Sequence, residues 1–459
     1  MKSIFKLFKQ ALKGDENQDF TSMGINRAIF LLAIPMVIEM FFEALFALAD
    51  AFFVARYVGT LGVAAVGLTE SVLTLIYSIA WGLSGAATAV IARRIGEKNS
   101  EKAGLALAQV MMISLAIGIV VAILGYLNAE RILGLMGGTA ELIASGVWYT
   151  RIQFLSAPVI ILLFTLSGAL RGAGNASAAM RSVIIANVLN IVLDFVFVAM
   201  MHMGIKGAAL ATLIGRTIGV LYQLGFISYV IKQIAITWAQ FKPNKQVIAN
   251  ILKITMGGAG QFLIQSASWI FLVKILSYFG TEVIAGYTIA LRIIVFTILP
   301  SWGLANAAAT LVGQNLGAGK PERAVKSAWT IGFINTAFLA FITVIFFFTA
   351  EDLISLFDTN PQVLKTGVQC LLIMSAGYIF FGIGMVIVQA INGAGDTLPV
   401  TLINLICFWV IEIPLAYYLA RTLNMEESGV FYAIIGAETL VAILAIIYFR
   451  TNRWQHKNV

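Results

Sequence analysis

The chain is 459 residues long, with 60% hydrophobic residues, only 11% charged residues and a formal net charge of +8. Soluble domains carry roughly 25% charged residues. This composition, with a mean hydropathy of +0.92, excludes a soluble domain and points to a helical protein that crosses a bilayer many times.

The opening MKSIFKLFKQALKGDENQD is too polar after its short apolar stripe for a cleaved signal peptide and reads as an amphipathic segment. Residues 1–26 are therefore an N-terminal segment. Twelve apolar runs follow, near 28–57, 63–92, 103–127, 143–169, 177–201, 205–232, 251–279, 284–313, 324–349, 362–391, 397–420 and 428–449. The expected organisation is an N-lobe of six spans (27–232), a polar linker (233–250), a C-lobe of six spans (251–450) and a tail (451–459). No long loop houses a catalytic domain, and no Ser–His–Asp set or HExxH motif occurs, so no enzyme activity is expected.

Lysine and arginine sort the loops into two sides. One side holds the N-terminal lysines with Arg27, then Arg93, Arg94, Lys98, Lys102, Arg171, Arg181, Lys232, Lys242, Lys245, Lys253, Lys320, Arg323, Lys326, Arg450, Arg453 and Lys457. The other has only Arg56, Arg131, Lys206, Lys365 and Arg421. Both termini are expected in the cytoplasm of a plasma-membrane protein, and the net charge needs no nucleic-acid partner.

The first span, FLLAIPMVIEMFFEALFALADAFFVARYVG, carries Glu39, Glu43 and Asp50 on one face. Three acids cannot face lipid, so this face lines a wet interior or meets partners. Glu39, nearest a span end, best fits simple solvation, and Asp50 is the stronger functional candidate. The fifth span, NVLNIVLDFVFV, places Asn187, Asn190 and Asp194 on one face. Asp50 and Asp194 share a lobe and have no basic partner at helical spacing. Two carboxylates in a dry region do not both stay charged, so one takes up a proton or a cation. An all-oxygen set suits a proton or a hard monovalent cation rather than zinc or copper. The competing reading is that these residues are hydrogen-bond glue between helices, most plausible for Asn187. Pro35, Pro158, Pro300, Pro399 and Pro414 are expected to interrupt spans. Weaker polar candidates are Arg151, Arg216, Arg292, Lys274 (close enough to a span end to snorkel), Glu412 and Glu438.

The chain repeats itself at an offset of 221 residues. Gly59-Thr60 meets Gly280-Thr281, and Trp81-Gly82-Leu83 meets Trp302-Gly303-Leu304. Gly96 falls on Gly317, and RGAGN (171–175) on NGAGD (392–396). Six spans per half give both halves the same orientation, a parallel repeat with a cavity expected between lobes. RGAGNA and NGAGDT lack a following GKS or GKT, so no ATP site is expected.

These residues resemble the multidrug and toxin extrusion (MATE) transporters over essentially the whole chain. The resemblance rests on the twelve-span repeat, LADAFFVARYVGTLGVAAVGL, NVLNIVLDFVF, LPSWGLANAAATLVGQNLGAGKPERA and NGAGDT. It implies two six-helix lobes in a V shape and cation-driven antiport of amphipathic, often cationic, drug-like compounds, with no cofactor beyond the coupling ion, H⁺ or Na⁺. It implies an N-lobe cation site at Asp50, Asn190, Asp194 and Thr212, the last nominated by the resemblance alone, and makes Pro35 a bending point of the first span. Glu39, Glu43 and Asn187 have no mapped family role and stand as possible cavity or proton-relay residues. The seventh span offers Gln261, Gln265 and Lys274 and the tenth no acid, which disfavours a C-lobe cation site and favours the DinF-like branch. Competition of ion and substrate for the same carboxylates is the expected coupling, and a monomer the simplest expectation. A lipid-linked precursor flippase of the same superfamily and a channel remain the alternatives.

Overall fold

The computed structural model describes residues 2–14, 18–229, 234–457 and 459, so Lys232 and the junction of N-lobe and linker lie outside the described residues. A bilayer interior offers backbone groups no water, so spans must close their own hydrogen bonds as helices. The described residues are accordingly helical almost throughout. A short α1 (Lys2–Lys13) precedes α2 (Ile25–Tyr57), α3 (Thr60–Gly96) and α4 (Ser100–Leu135). The paired α5 (Ala140–Leu155) and α6 (Ala157–Gly172) follow, then α7 (Ala176–Asp194) and α8 (Ile205–Tyr229).

The second half runs α9 (Lys245–Leu276), α10 (Thr281–Gly317) and α11 (Pro321–Ser355). It ends with the paired α12 (Pro361–Ala376) and α13 (Tyr378–Gly393), α14 (Thr397–Asn404), α15 (Ile413–Tyr417) and α16 (Glu426–Arg450). Asn99, Thr139, Asn244 and Asn360 cap α4, α5, α9 and α12 with side-chain oxygens. Ten helices are long and apolar enough to cross a membrane, and the two bent pairs bring the number to twelve. Each anticipated span is present, most with ends a few residues longer, and α9 begins at Lys245 inside the expected linker.

The breaks follow expectation at Pro158, two residues past a bend, and differ from it elsewhere. Pro35 and Pro300 lie inside unbroken helices, as membrane spans allow when local adjustment re-satisfies the freed backbone groups. The sharp bends, 42° and 55°, fall after α5 and α12, at Ser156 and Gly377. Those positions are themselves 221 residues apart, and the second has no proline beside it. Small residues permit such kinks as well as prolines do. The eleventh span is the irregular one: wider turns with i→i+5 bonds occupy Leu405–Glu412 and Tyr418–Thr422 on either side of α15, which contains Pro414.

The repeat is physical. Gly59 and Gly280 both take positive φ (84° and 112°), as do Gly174 and Gly395 (85° and 83°). The lobes meet through reciprocal contacts: α3 packs on α9, and its repeat partner α10 packs on α2. A Cβ on Gly82 would lie 2.7 Å from the Ala259 nitrogen, and one on Gly303 2.7 Å from the Val37 nitrogen. At the face carrying both termini, Gly96 abuts the Gln314 carbonyl and Gly317 abuts the Arg93 carbonyl. Side chains at either glycine would push the lobes apart, so this face is closed.

Both chain ends strap the same face. The Phe20 ring lies on the Gly174 turn, while Arg323 and Lys320 of the C-lobe donate to the Phe20 and Thr21 carbonyls at 3.1 and 2.9 Å. Val459 lies on the equivalent Gly395 turn, and Arg93 of the N-lobe donates to the Lys457 carbonyl at 2.7 Å. Each strap thus rests on one lobe and is held by basic residues of the other. Asp19, in the first strap, accepts from the Thr21 hydroxyl at 2.6 Å, which holds its carboxyl below the usual range.

Gly96→Leu is expected to open this seal. The check is maleimide labelling of Thr88→Cys, a buried position on the inner wall, from the side bearing the termini; native Cys370 and Cys407 are buried. Labelling several-fold faster than in the Gly96 background is expected, and an unchanged rate would contradict the closure.

Candidate functional site

The polar residues of the N-lobe resolve into two kinds, those with a counter-charge and those without. Glu39 is buried, not solvated at a span end as expected, because α2 packs against both α7 and α10 and carries it inward. Its Oε1 accepts from Arg171 Nη1 at 2.6 Å, and Arg171 Nη2 donates to Ser84 Oγ at 2.8 Å. Arg171 therefore does not belong with the loop charges: it is buried in the last turn of α6, matched to an acid. Glu43, one turn along α2, holds Arg216 of α8 through two bonds of 2.7 and 3.1 Å. The Arg216 guanidinium also sits 4.7 Å from the Phe46 ring and 5.6 Å from the Phe164 ring, an arrangement suited to a planar cation.

Asp50 and Asp194 have no such partner. Neither forms an ion pair among the described residues, and both are buried, Asp194 completely. Asp194 ends α7, and the chain continues through the wider turns Phe195–Met200. Such departures from α-helix recur where side chains must be re-aimed at functional sites. Asn190 lies one turn before Asp194, and its Nδ2 donates to Thr212 Oγ1 of α8 at 3.2 Å. Gly215 permits this meeting, since a Cβ there would lie 2.6 Å from the Ala186 carbonyl and 3.2 Å from the Asn190 Cβ. Asn190 Oδ1 and both carboxylate oxygens of Asp194 are buried with no hydrogen-bond partner among the described residues. Asp50 approaches from α2, whose Phe53, one turn on, has its ring 6.5 Å from that of Phe195.

Asn187 stands apart from this set. Its Nδ2 donates to the Phe42 carbonyl at 3.1 Å, tying α7 to α2, which is the helix-glue role. Pro35 is buried in α2, one turn before Glu39.

Three oxygens without a donor, in a region that excludes water, leave the site short of positive charge. A proton or a cation held by oxygen would supply it, and the trio Asn190, Asp194 and Thr212 with Asp50 fits either.

Between the lobes, Trp81, Phe262 and Trp302 form an aromatic cluster with ring centroids 4.8–5.9 Å apart. It borders a small chamber of about 140 Å³ that also touches Glu43, Arg171 and Gln261. Gln261 spends its amide on Asn392, in bonds of 3.1 and 3.0 Å. Gln265 donates to Glu438 at 3.1 Å, Glu412 is buried with Oε2 unpartnered, and Lys274 is exposed toward the end of α9. Arg151 pairs with Glu130 at 2.9 Å on the exposed rim, and Arg292 is exposed.

Sequence reasoning missed the Arg171–Glu39–Ser84 group, because Arg171 falls beside a glycine-rich loop and looks like part of it. The one available signal was the acid stripe of the first span, which demanded cations somewhere among the spans. Thr212 gave no signal of its own.

A sequence profile of the MatE family matches residues 35–196 and 259–418, one segment in each lobe. The chain is 24% identical to the probable multidrug resistance protein NorM of Thermotoga maritima, over 99% of this chain and 97% of that protein. It is 23% identical to the multidrug export protein MepA of Staphylococcus aureus, over 96% and 98%. Among solved structures it resembles a MATE protein in complex with MaD3S (26% identity, TM-score 0.88, 96% of this chain and 97% of that one). A MATE protein in a bent conformation is similar at 25% identity, TM-score 0.87 and 97% coverage of both chains.

Removing one partner of a buried ion pair strands the other, at a cost of about 3–5 kcal/mol. Glu43→Gln is therefore expected to lower the unfolding temperature of the purified protein, and Glu43→Leu with Arg216→Leu to recover most of the loss. Equal destabilisation by the single and double variants would contradict a matched pair.

Proposed function

This chain belongs to the MATE family, and from that premise we propose that it is a multidrug efflux transporter, an antiporter that exchanges amphipathic organic cations for inward-moving H⁺ or Na⁺. The observation that carries the reading is the unmatched carboxylate Asp194, buried beside the orphaned oxygen of Asn190. The full-length likeness to NorM and MepA supports the efflux direction and the drug-like substrates. The lysine and arginine bias supports cytoplasmic termini; in this reading the closed face is cytoplasmic and the arrangement outward-facing.

In this reading the coupling ion reaches Asp50, Asn190, Asp194 and Thr212 from outside and neutralises the two aspartates. Charge lost between α2 and α7 favours a different packing of α2, and Pro35, which leaves one carbonyl of α2 without its helical partner, is where that helix bends. Substrate departs, the lobes rock about the glycine contacts, and the ion leaves to the cytoplasm. Exchange is coupled because ion and substrate each prefer one lobe arrangement. Glu39 and Glu43, already matched by Arg171 and Arg216, do not carry the ion; they hold α2 to α6 and α8.

The test is efflux of a fluorescent organic cation from proteoliposomes under an imposed pH gradient or Na⁺ gradient. One gradient is expected to drive the wild type, and Asp194→Asn and Asp50→Asn to fall to the level of empty liposomes at equal incorporation. Unimpaired driven efflux by both variants would sink the ion site, and dye flux indifferent to either gradient would favour a channel.

A further inference from the structure

The C-lobe holds a second pair of unmatched acids, and one of them, Glu438, faces space. A cavity of about 410 Å³ lies among α9, α10, α12, α13, the eleventh span and α16, with Thr74 and Trp81 of α3 completing its wall on the N-lobe side. Its walls are aromatic and aliphatic with two methionines, and include Trp269, Phe381, Phe408, Met374 and Met385. Glu438 is the one charged residue on the wall, its Oε1 held by Gln265 Nε2 at 3.1 Å. No lysine or arginine among the described residues lines it. Asn404, on the same wall, is 8% exposed and its Oδ1 has no partner. Glu412 lies behind, beside Ser268 and Glu438, 1% exposed and with Oε2 likewise unpartnered.

Size separates this site from the N-lobe one. Asp194, Asn190 and Thr212 are buried and line neither this cavity nor the inter-lobe chamber, which suits a bare ion. The C-lobe space falls in the range of drug-sized ligand pockets, roughly 300–1,000 Å³. Its contents favour a large, soft, desolvated cation: aromatic faces and thioethers for the apolar body, a carboxylate for the charge, and acceptor oxygens for any N–H. A neutral or anionic guest would leave Glu438 uncompensated in a dry wall.

We propose that this C-lobe cavity is the seat of the organic cation, with Glu438, positioned by Gln265, as its counter-charge and Asn404 as a hydrogen-bond acceptor. The proposal rests on the efflux reading and deepens it: ion and substrate occupy different lobes. Competition for the same carboxylates, the coupling expected from sequence, is replaced by coupling through the lobe interface. Phe262 of α9 is shared by the cavity and the inter-lobe chamber, and its stacking on Trp302 and contact with Trp81 connect the two halves.

The test is equilibrium dialysis of the purified full-length protein against tetraphenylphosphonium and its neutral relative triphenylphosphine oxide. The wild type is expected to prefer the cation by roughly tenfold. Glu438→Gln is expected to abolish that preference and Glu438→Asp to keep most of it. No preference for the cation in the unmodified protein overturns the site without reliance on any variant. So does full retention of the preference in Glu438→Gln, which places the counter-charge elsewhere. Running gradient-driven efflux of the same cation separates the two claims. Efflux that survives Glu438→Gln refutes the cavity but leaves the transporter standing; Glu438-dependent binding with no driven efflux refutes the transporter but leaves the cavity.

Discussion

A carboxylate taken out of water must meet a positive charge, and that constraint organises this molecule. The attraction between opposite charges grows as the dielectric falls, but so does the cost of a charge left alone. Glu39 and Glu43 meet Arg171 and Arg216, and the pairs fasten α2 to α6 and α8. Asp50, Asp194, Glu412 and Glu438 have no ion-pair partner among the described residues. The first group is architecture; the second is where the proposed coupling ion and organic cation would bind.

The internal repeat gives those cations a way to act on each other. Reciprocal glycine contacts at Gly82 and Gly303, and at Gly96 and Gly317, let α3 and α10 approach the opposite lobe closely enough for backbone to meet backbone. Packed interfaces of this kind have discrete arrangements rather than a continuum. An ion that changes the packing of α2 in one lobe is thereby felt where α2 meets α10 in the other. The two terminal straps, seated on the equivalent Gly174 and Gly395 turns, must release for the closed face to open.

Much of this was legible in the chain itself. Twenty-residue apolar runs dictate spans, and the offset of 221 residues survives in matching positive-φ glycines and in matching bends. The acids of the first and fifth spans announced a polar interior. What could not be read was pairing across helices. Arg171 and Arg216 look like a loop charge and a stray one until α6 and α8 are laid against α2. Helix breaks were legible only in part: Pro158 stands beside the Ser156 bend, but Pro35 and Pro300 lie in helices that run on unbroken, and the Gly377 bend has no proline to announce it. The C-lobe acids were visible as letters, but the cavity that gives Glu438 a purpose exists only in three dimensions.

The central claim, that the unmatched aspartates rather than the matched glutamates bind the coupling ion, is most directly tested by difference infrared spectroscopy of the purified protein titrated with acid or with Na⁺. The account predicts a carboxyl signal responsive to one of the two titrants that Asp194→Asn removes, while Glu39→Gln and Glu43→Gln leave it in place. A signal untouched by Asp194→Asn and lost in either glutamate variant would contradict it.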